Sequence, residues 1–403
     1  MTKILLIASS VIVLALASVS KAQTSDFAAP KNDGMPPVIV PSRTEVERAI
    51  QRSTDYLVRA CGPDGKFAYF VDTSSGRESA DYNIIRHAGA IYALSMANHA
   101  HSDPKVVAAM VRAAYYLRKN YVGPGLRPDQ LTVWSRPLGH EPPAKDNYAE
   151  LGGTALGLVA LAAVREVDQK AILLEDLQAL GRFLLYSQRE DGSFNQKYGA
   201  DGTALQDWTV LYYPGEASLG LIMLFEADHS VQWLTAAGKA LSFLAKSRKG
   251  VIAVPADHWA LIASAALMPY LDQIHSVGTR AELTQHAGQV CNVIMHEQFR
   301  GGSASGLDGA FDPGGRTTPA ATRLEGLLAA LEFLPNADVR HKVEEATARG
   351  IAFLLRAQIT DGSFAGAITG SVRTSAFDSA AVRIDFIQHA LCAWLRYKNL
   401  APD

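Results

Sequence analysis

Cysteine is nearly absent from this chain: among 403 residues there are three, Cys61, Cys291 and Cys392, far apart in sequence. Each sits in or beside an apolar helical stretch, where a buried thiol is expected rather than a ligand, and at most one disulfide can form. No two Cys or His residues show a recognised ligand spacing, so no metal and no cofactor is expected. An excess of one charge is lacking as well. Lys and Arg number 38 against 40 Asp and Glu, and the basic residues are scattered, so nucleic acid is not an expected partner. Beyond the first 22 residues no segment is long and apolar enough to span a bilayer.

The N-terminus is the one long apolar run. Lys3, the stretch 4–19 and Ser20-Lys21-Ala22 ahead of Gln23 have the layout of a secretory signal peptide with a small-residue cleavage site. The run is shorter than the ~20 residues a spanning helix needs. Residues 1–22 are therefore read as a leader and the mature protein as exported, periplasmic or extracellular. Residues 23–41, rich in Pro, Ser, Asp and Ala without a period, read as a flexible lead-in. Residues 42–400 are read as one domain, because a closed ring of repeated hairpins can reach this length around one core.

What the chain does have is repetition. Six times a polar cluster precedes an uninterrupted run of small and aliphatic residues: Asn83 to His87 before 88–96, Asn147 to Glu150 before 151–164, and Tyr212 to Glu216 before 217–225. The later three are Asp257 to Trp259 before 260–268, Thr322 to Glu325 before 326–334, and Arg383 to His389 before 390–395. Six amphipathic segments alternate with them, at 43–60, 104–119, 174–187, 231–246, 280–295 and 339–357, each with one apolar and one charged face.

Helices apolar all round must be enclosed, and amphipathic ones can lie outside. Six such pairs make an all-α (α/α)6 toroid, its inner helices parallel and their N-termini meeting at one funnel. The loops agree: those leading into inner helices are mostly long (61–81, 120–146, 188–211, 299–321 and 358–382). Long loops in a compact fold usually carry function.

Phe183-Leu-Leu-Tyr-Ser-Gln188 through Asp191-Gly192-Ser193-Phe194 and Phe353-Leu-Leu-Arg-Ala-Gln358 through Asp361-Gly362-Ser363-Phe364 resemble the QW repeat of terpene cyclases and prenyltransferases, and Tyr56 through Phe67 is a weaker copy. Similar turns occur in six-hairpin glycosidases and polysaccharide lyases, so the resemblance implies the toroid rather than a reaction. The zinc motifs of lanthionine cyclases and protein prenyltransferases and the Asp-rich acid motif of squalene-type cyclases are absent. Physically the repeat is a helix exit, with Gln bonding nearby backbone and Asp-Gly making the turn.

Parallel N-termini aim unpaired N–H groups into the funnel and favour polar or anionic ligands. Glu216, behind the turn Tyr212-Tyr213-Pro214-Gly215, is the expected general acid, with Glu150 or Asp257 as base or nucleophile; facing carboxyls about 5–10 Å apart suit glycoside cleavage. A lyase or epimerase would use Tyr213 or His87 as base. Arg86, Arg323 and Arg383 are expected to clamp substrate, or to pair with Glu325, Asp385 and Glu150. Asn83, Asn147, Tyr212, His258, Trp259 and His389 complete the expected binding set. The glycine-rich loop 301–318 reads as a mobile rim. The leading expectation is an exported carbohydrate-active enzyme, a glycoside hydrolase, lyase or epimerase, acting on a poly- or oligosaccharide, anionic ones included. A noncatalytic toroidal binding or scaffold module and a terpene cyclase or prenyltransferase-like enzyme are the alternatives.

Overall fold

A computed structural model describes residues 38–135, 147–206, 208–274, 278–301, 306–373 and 379–403. The leader at 1–22, most of the lead-in at 23–41 and part of the loops at 120–146 and 301–318 lie outside the described residues.

Twelve α-helices are described, alternating outer and inner: α1 (Arg43–Ala60), α2 (Ile84–Ala100), α3 (Pro104–Tyr121), α4 (Leu151–Val167), α5 (Leu174–Ser187), α6 (Tyr213–Asp228), α7 (Val231–Ser247), α8 (His258–Leu267), α9 (Arg280–Glu297), α10 (Thr317–Ala330), α11 (Ala337–Ala357) and α12 (Ile384–Tyr397). The odd-numbered outer helices begin and end within two residues of the amphipathic segments read from the sequence. The even-numbered helices pack each on the next, and α12 packs on α2, which closes the ring. The chain is an all-α (α/α)6 toroid.

The inner helices are parallel. Gly152 at the start of α4 lies against Tyr213 and Glu216 at the start of α6, and Gly215 of α6 lies against Trp259 and Ala260 at the start of α8. Glycine permits this approach because any Cβ there would meet a neighbouring helix. Inner helices such as α4 are buried from Leu151 to Val164, whereas α1 buries only one stripe.

The loops at the N-terminal face carry six short strands. Strand β1 (Phe70–Asp72) pairs antiparallel with β6 (Ala381–Arg383), beside the starts of α2 and α12. Strands β2 (Val122–Pro124), β3 (Leu131–Ser135), β4 (Tyr148–Glu150) and β5 (Lys197–Gly199) form an antiparallel sheet leading into α4. These strands pin Arg383 and Glu150 where inner helices begin.

Four outer-helix exits are clasped to the next outer helix around the ring. Gln188 donates to the Ala236 carbonyl at 2.9 Å, Gln298 to Ala346 at 2.8 Å and Gln358 to Ala49 at 2.9 Å, while Cys61 sets its thiol 3.5 Å from the Ala109 carbonyl. The first two join α5 to α7 and α9 to α11; the last two join α11 to α1 and α1 to α3, carrying the chain across its own ends. No described helix is long and apolar enough to cross a membrane.

Candidate functional site

The inner helices carry two polar walls. On the α8, α10 and α12 side, Glu325 Oε2 lies 2.9 Å from His389 Nδ1 and 4.0 Å from His258 Nε2. The two imidazole centroids are 5.8 Å apart, and the Tyr212 ring stands edge-on to His258 at 4.6 Å. His258 is buried, and neither of its ring nitrogens has a hydrogen-bond partner. Such an orphan is costly in a core, where nearly all buried polar atoms are paired. Burial holds its pKa well below the usual histidine range, helped by the nearby His389 and Arg323. Burial pulls His389 down as well, but the Glu325 carboxylate outweighs it and raises the His389 pKa. The two imidazoles are thus pushed apart in proton affinity.

Next to this cluster, Arg383 grips Asp385 through both oxygens at 2.5 and 2.9 Å, and Arg86 Nε lies 3.3 Å from Asp385 Oδ2 while also bonding the Tyr69 hydroxyl. Burial disfavours the Asp385 charge, yet the two guanidiniums hold its pKa below the ordinary value. Arg86 keeps a third of its side chain exposed, with relative exposure of 35%.

The second wall joins α4 and α6. The Glu150 carboxylate has Ser135 Oγ at 3.1 Å and Lys197 Nζ at 3.9 Å, and the Lys197 ammonium sits 3.5 Å from the Tyr148 ring centre and 4.5 Å from that of Trp208. Glu216 is buried, and its Oε2 has no partner. Burial, with the Asp257 and Glu150 charges added, pushes its pKa well above the carboxylate range, so the acid form is favoured. Burial raises the Glu150 pKa too, against the pull of Lys197 and Ser135. Asn147, at the head of β4, is buried with both amide atoms unpaired.

Several expected residues stand elsewhere. His87 faces α3: its Nε2 lies 2.9 Å from the Ala113 carbonyl and its Nδ1 2.7 Å from the Tyr82 hydroxyl, an arrangement that satisfies a neutral ring. Burial takes its pKa down to about 4. Asp257 caps α8 by accepting from Ala260 N at 3.1 Å and pairs with Arg248 at 2.8 Å, so both oxygens are engaged. Asn83 caps α2, accepting from Arg86 N at 3.2 Å. Trp259 is buried, its ring 6.3 Å from that of Tyr92 on α2 and 5.5 Å from that of His258.

Arg323 and Glu325 were expected at a helix start, but α10 begins at Thr317 and places both in its interior. The signal missed was Thr317-Thr318-Pro319, a proline within the first turn, where it suits a helix. Arg323 pairs with Glu297 of α9 at 2.6 Å rather than with any of the three acids considered for it.

Among the described residues, one group of metal-ligating type stands together: His258, Glu325 and His389 each offer an atom within 4.8 Å of the others. Sequence spacing could not reveal it, because the three come from three helices. Trp208 was missed as well; it lies between Lys197 and Tyr213, with ring centres 5.6 Å apart in the latter pair.

Solved structures share this ring at low sequence identity. A sugar epimerase from a ruminal bacterium aligns with a TM-score of 0.66 at 11% identity, over 90% of this chain and 99% of its own. A D-mannose isomerase gives 0.64 at 14% over 88% and 97%, and the cellobiose 2-epimerase of Spirochaeta thermophila DSM 6192 gives 0.64 at 14% over 89% and 96%. A glycosyl hydrolase of family 88 from Bacteroides vulgatus and a polysaccharide lyase have the ring too. At such identity the likeness is one of fold. No family model matches the chain, and no curated protein matches it.

Proposed function

We propose that the chain is an exported carbohydrate-active enzyme that moves a proton at the carbon next to a sugar carbonyl, as an aldose–ketose isomerase or C2 epimerase. The observation that carries this is the facing pair His258 and His389, one with both nitrogens free and the other oriented by Glu325. Such chemistry needs a neutral base to take the C2 proton and a second group to return one. His258, kept neutral by burial, is the base, and the His389 imidazolium, supported by Glu325, is the acid. Removal of the C2 proton puts negative charge on the carbonyl oxygen, forming an enediolate. Return of a proton to C1, with the O2 hydroxyl proton passing to O1 as the C2 carbonyl forms, gives the ketose, and return to the other face of C2 gives the epimer. Arg86, partly exposed beside His389, supplies the cation for that oxygen. The names of the neighbouring structures, a sugar epimerase and a mannose isomerase among them, support the sugar as substrate class.

The test is solvent exchange. Incubation in deuterated buffer with a panel of free aldoses and reducing disaccharides should place deuterium at C2 of the aldose or its epimer, or at C1 of the ketose, read by proton NMR. His258→Gln and His389→Gln should each slow this by roughly 10²–10⁴-fold, the usual contribution of a positioned acid or base. No exchange with any sugar of the panel would remove the reading.

One observation favours a second reading. Glu216, whose acid form burial favours and whose Oε2 has no partner, stands near Glu150 and is the kind of carboxylic acid that glycoside cleavage requires. Release of reducing ends from a polysaccharide, abolished in Glu216→Gln, would move the reaction to that wall.

A further inference from the structure

We propose that His258, Glu325 and His389 bind a divalent transition-metal cation, and that this occupancy and proton transfer by the same imidazoles exclude each other. The first half stands on geometry alone; the second rests on the function proposed above.

A zinc-like ion takes bonds of about 2.0–2.2 Å to imidazole nitrogen and carboxylate oxygen, which places neighbouring ligand atoms of a tetrahedron about 3.4 Å apart. Here the carboxylate oxygen lies 2.9 Å from His389 Nδ1 and 4.0 Å from His258 Nε2, one gap slightly short and one slightly long. All three ligand atoms fall within 4.8 Å of one another. Two imidazoles and one carboxylate leave at least one position open, the ligand set of catalytic zinc sites and of non-haem iron centres.

The second, independent observation is His258 itself. Its relative exposure is 1%, and both nitrogens lack any partner, although the nearest acidic oxygen is 4.0 Å away. An imidazole buried without a bond loses the solvation of two polar atoms. A cation beside Nε2 removes that penalty and neutralises the buried Glu325 carboxylate. The surroundings suit an ordered site. The rings of Tyr212, edge-on at 4.6 Å, and Trp259, at 5.5 Å, flank His258, which keeps water from competing for the ligands. Each ligand is set on a rigid inner helix: His258 opens α8, and Glu325 and His389 lie inside α10 and α12.

With an ion bound, the His258 lone pair that would take a substrate proton is donated to the metal, and Glu325 no longer orients His389. The cation is then an inhibitor of the proposed reaction and a stabiliser of the fold.

The experiment uses the full chain, stripped with a chelator and titrated with Co²⁺ and with Zn²⁺. The expected result is one ion per chain, visible d–d bands of a four- or five-coordinate Co²⁺, their displacement by Zn²⁺, and a rise in melting temperature. His258→Ala and Glu325→Gln, each shown to be folded by circular dichroism, should lose at least the roughly 10–100-fold in affinity that removing even an outer-shell partner costs. His99→Ala, at the exposed His99 and Glu166 pair, should not change it. No stoichiometric binding, or binding equal in wild type and both ligand variants, overturns the site. The two halves separate cleanly. Solvent exchange in metal-free protein that persists unchanged at saturating Zn²⁺ overturns the exclusion, whereas metal binding with no exchange under any condition leaves the site standing and removes the enzymatic reading.

Discussion

Gly366 tests whether the clasps between outer helices hold the ring closed. It has φ +93°, and a Cβ built on it would fall on the Arg52 carbonyl of α1, 2.5 Å from the carbonyl carbon. Its own carbonyl accepts the Ser53 hydroxyl at 2.6 Å. Gly366→Ala therefore meets three costs: about 1–2 kcal/mol for positive φ with a side chain, about 1–3 kcal/mol for forcing the loop off α1, and about 1 kcal/mol for the strained or lost hydrogen bond. The sum is roughly 3–6 kcal/mol. At about 2.1 cal/mol/K of unfolding entropy per residue over roughly 360 residues, each kcal/mol is worth about 1.3 °C, so the melting temperature should fall by about 4–8 °C. Gly362 in the same turn is the control, with φ +74° but nothing within 4 Å of an added Cβ. Gly362→Ala meets only the first cost and should lose about 1–3 °C. Scanning calorimetry at neutral pH measures both. Equal losses for the two variants would show that the close approach to α1 contributes nothing, and the account of ring closure would fail.

The remaining expectations concern buried titratable groups. Glu216 has a folded pKa raised by burial, so as pH rises past the unfolded value near 4.5 the unfolded chain gives up a proton that the folded chain keeps, and stability falls. Glu216→Gln should therefore melt at or above wild type at pH 8, with the difference gone at pH 4; a variant less stable at pH 8 than at pH 4, relative to wild type, refutes this. His87 has a folded pKa of about 4 against 6.5 unfolded, so stability is complete above 6.5 and declines as pH falls toward 4, because only the unfolded chain takes the proton. Urea unfolding of His87→Gln should show a loss between pH 7 and pH 4.5 that is smaller than that of wild type by roughly 2–3 kcal/mol. An unchanged loss would mean that another group carries the acid limb.

The ring was legible because its signals are local and repeated. A helix apolar on every side, such as Leu151 to Val164, has nowhere to go but inside, and six alternations leave a closed ring as the natural solution. The clasps were half legible. The turns after Gln188 and Gln358 stand out by spacing, but Gln298 makes the same bond to Ala346 with a longer loop behind it, and Cys61 takes the position without being Gln. The residue that touches the neighbouring helix after Gln358 is Gly366, not the Gly362 of the motif, because a loop closes by geometry and not by register.

The site was less legible for a physical reason that also explains its form. A helix start can be read from caps and breakers, but whether the residue there points inward, along the rim or outward depends on a rotation of about 100° per residue. Asp257 and His258 are neighbours, yet the first turns out to Arg248 and the second turns in to Glu325. Asn83 and Arg86 part in the same way, one into its own helix cap and one across to Asp385 on α12. Glu325 shows the opposite case. It lies deep in α10, a position read as a helix start from sequence, and reaches the site because α10 begins earlier than its inner neighbours relative to its acid. A ring of parallel helices can therefore assemble His258, Glu325 and His389 from three helices with no linear motif, since adjacency around the ring and depth along each helix are set independently. The same independence lets one toroid hold carboxylates on one wall and imidazoles on another, and this is why fold resemblance alone assigns no reaction to it.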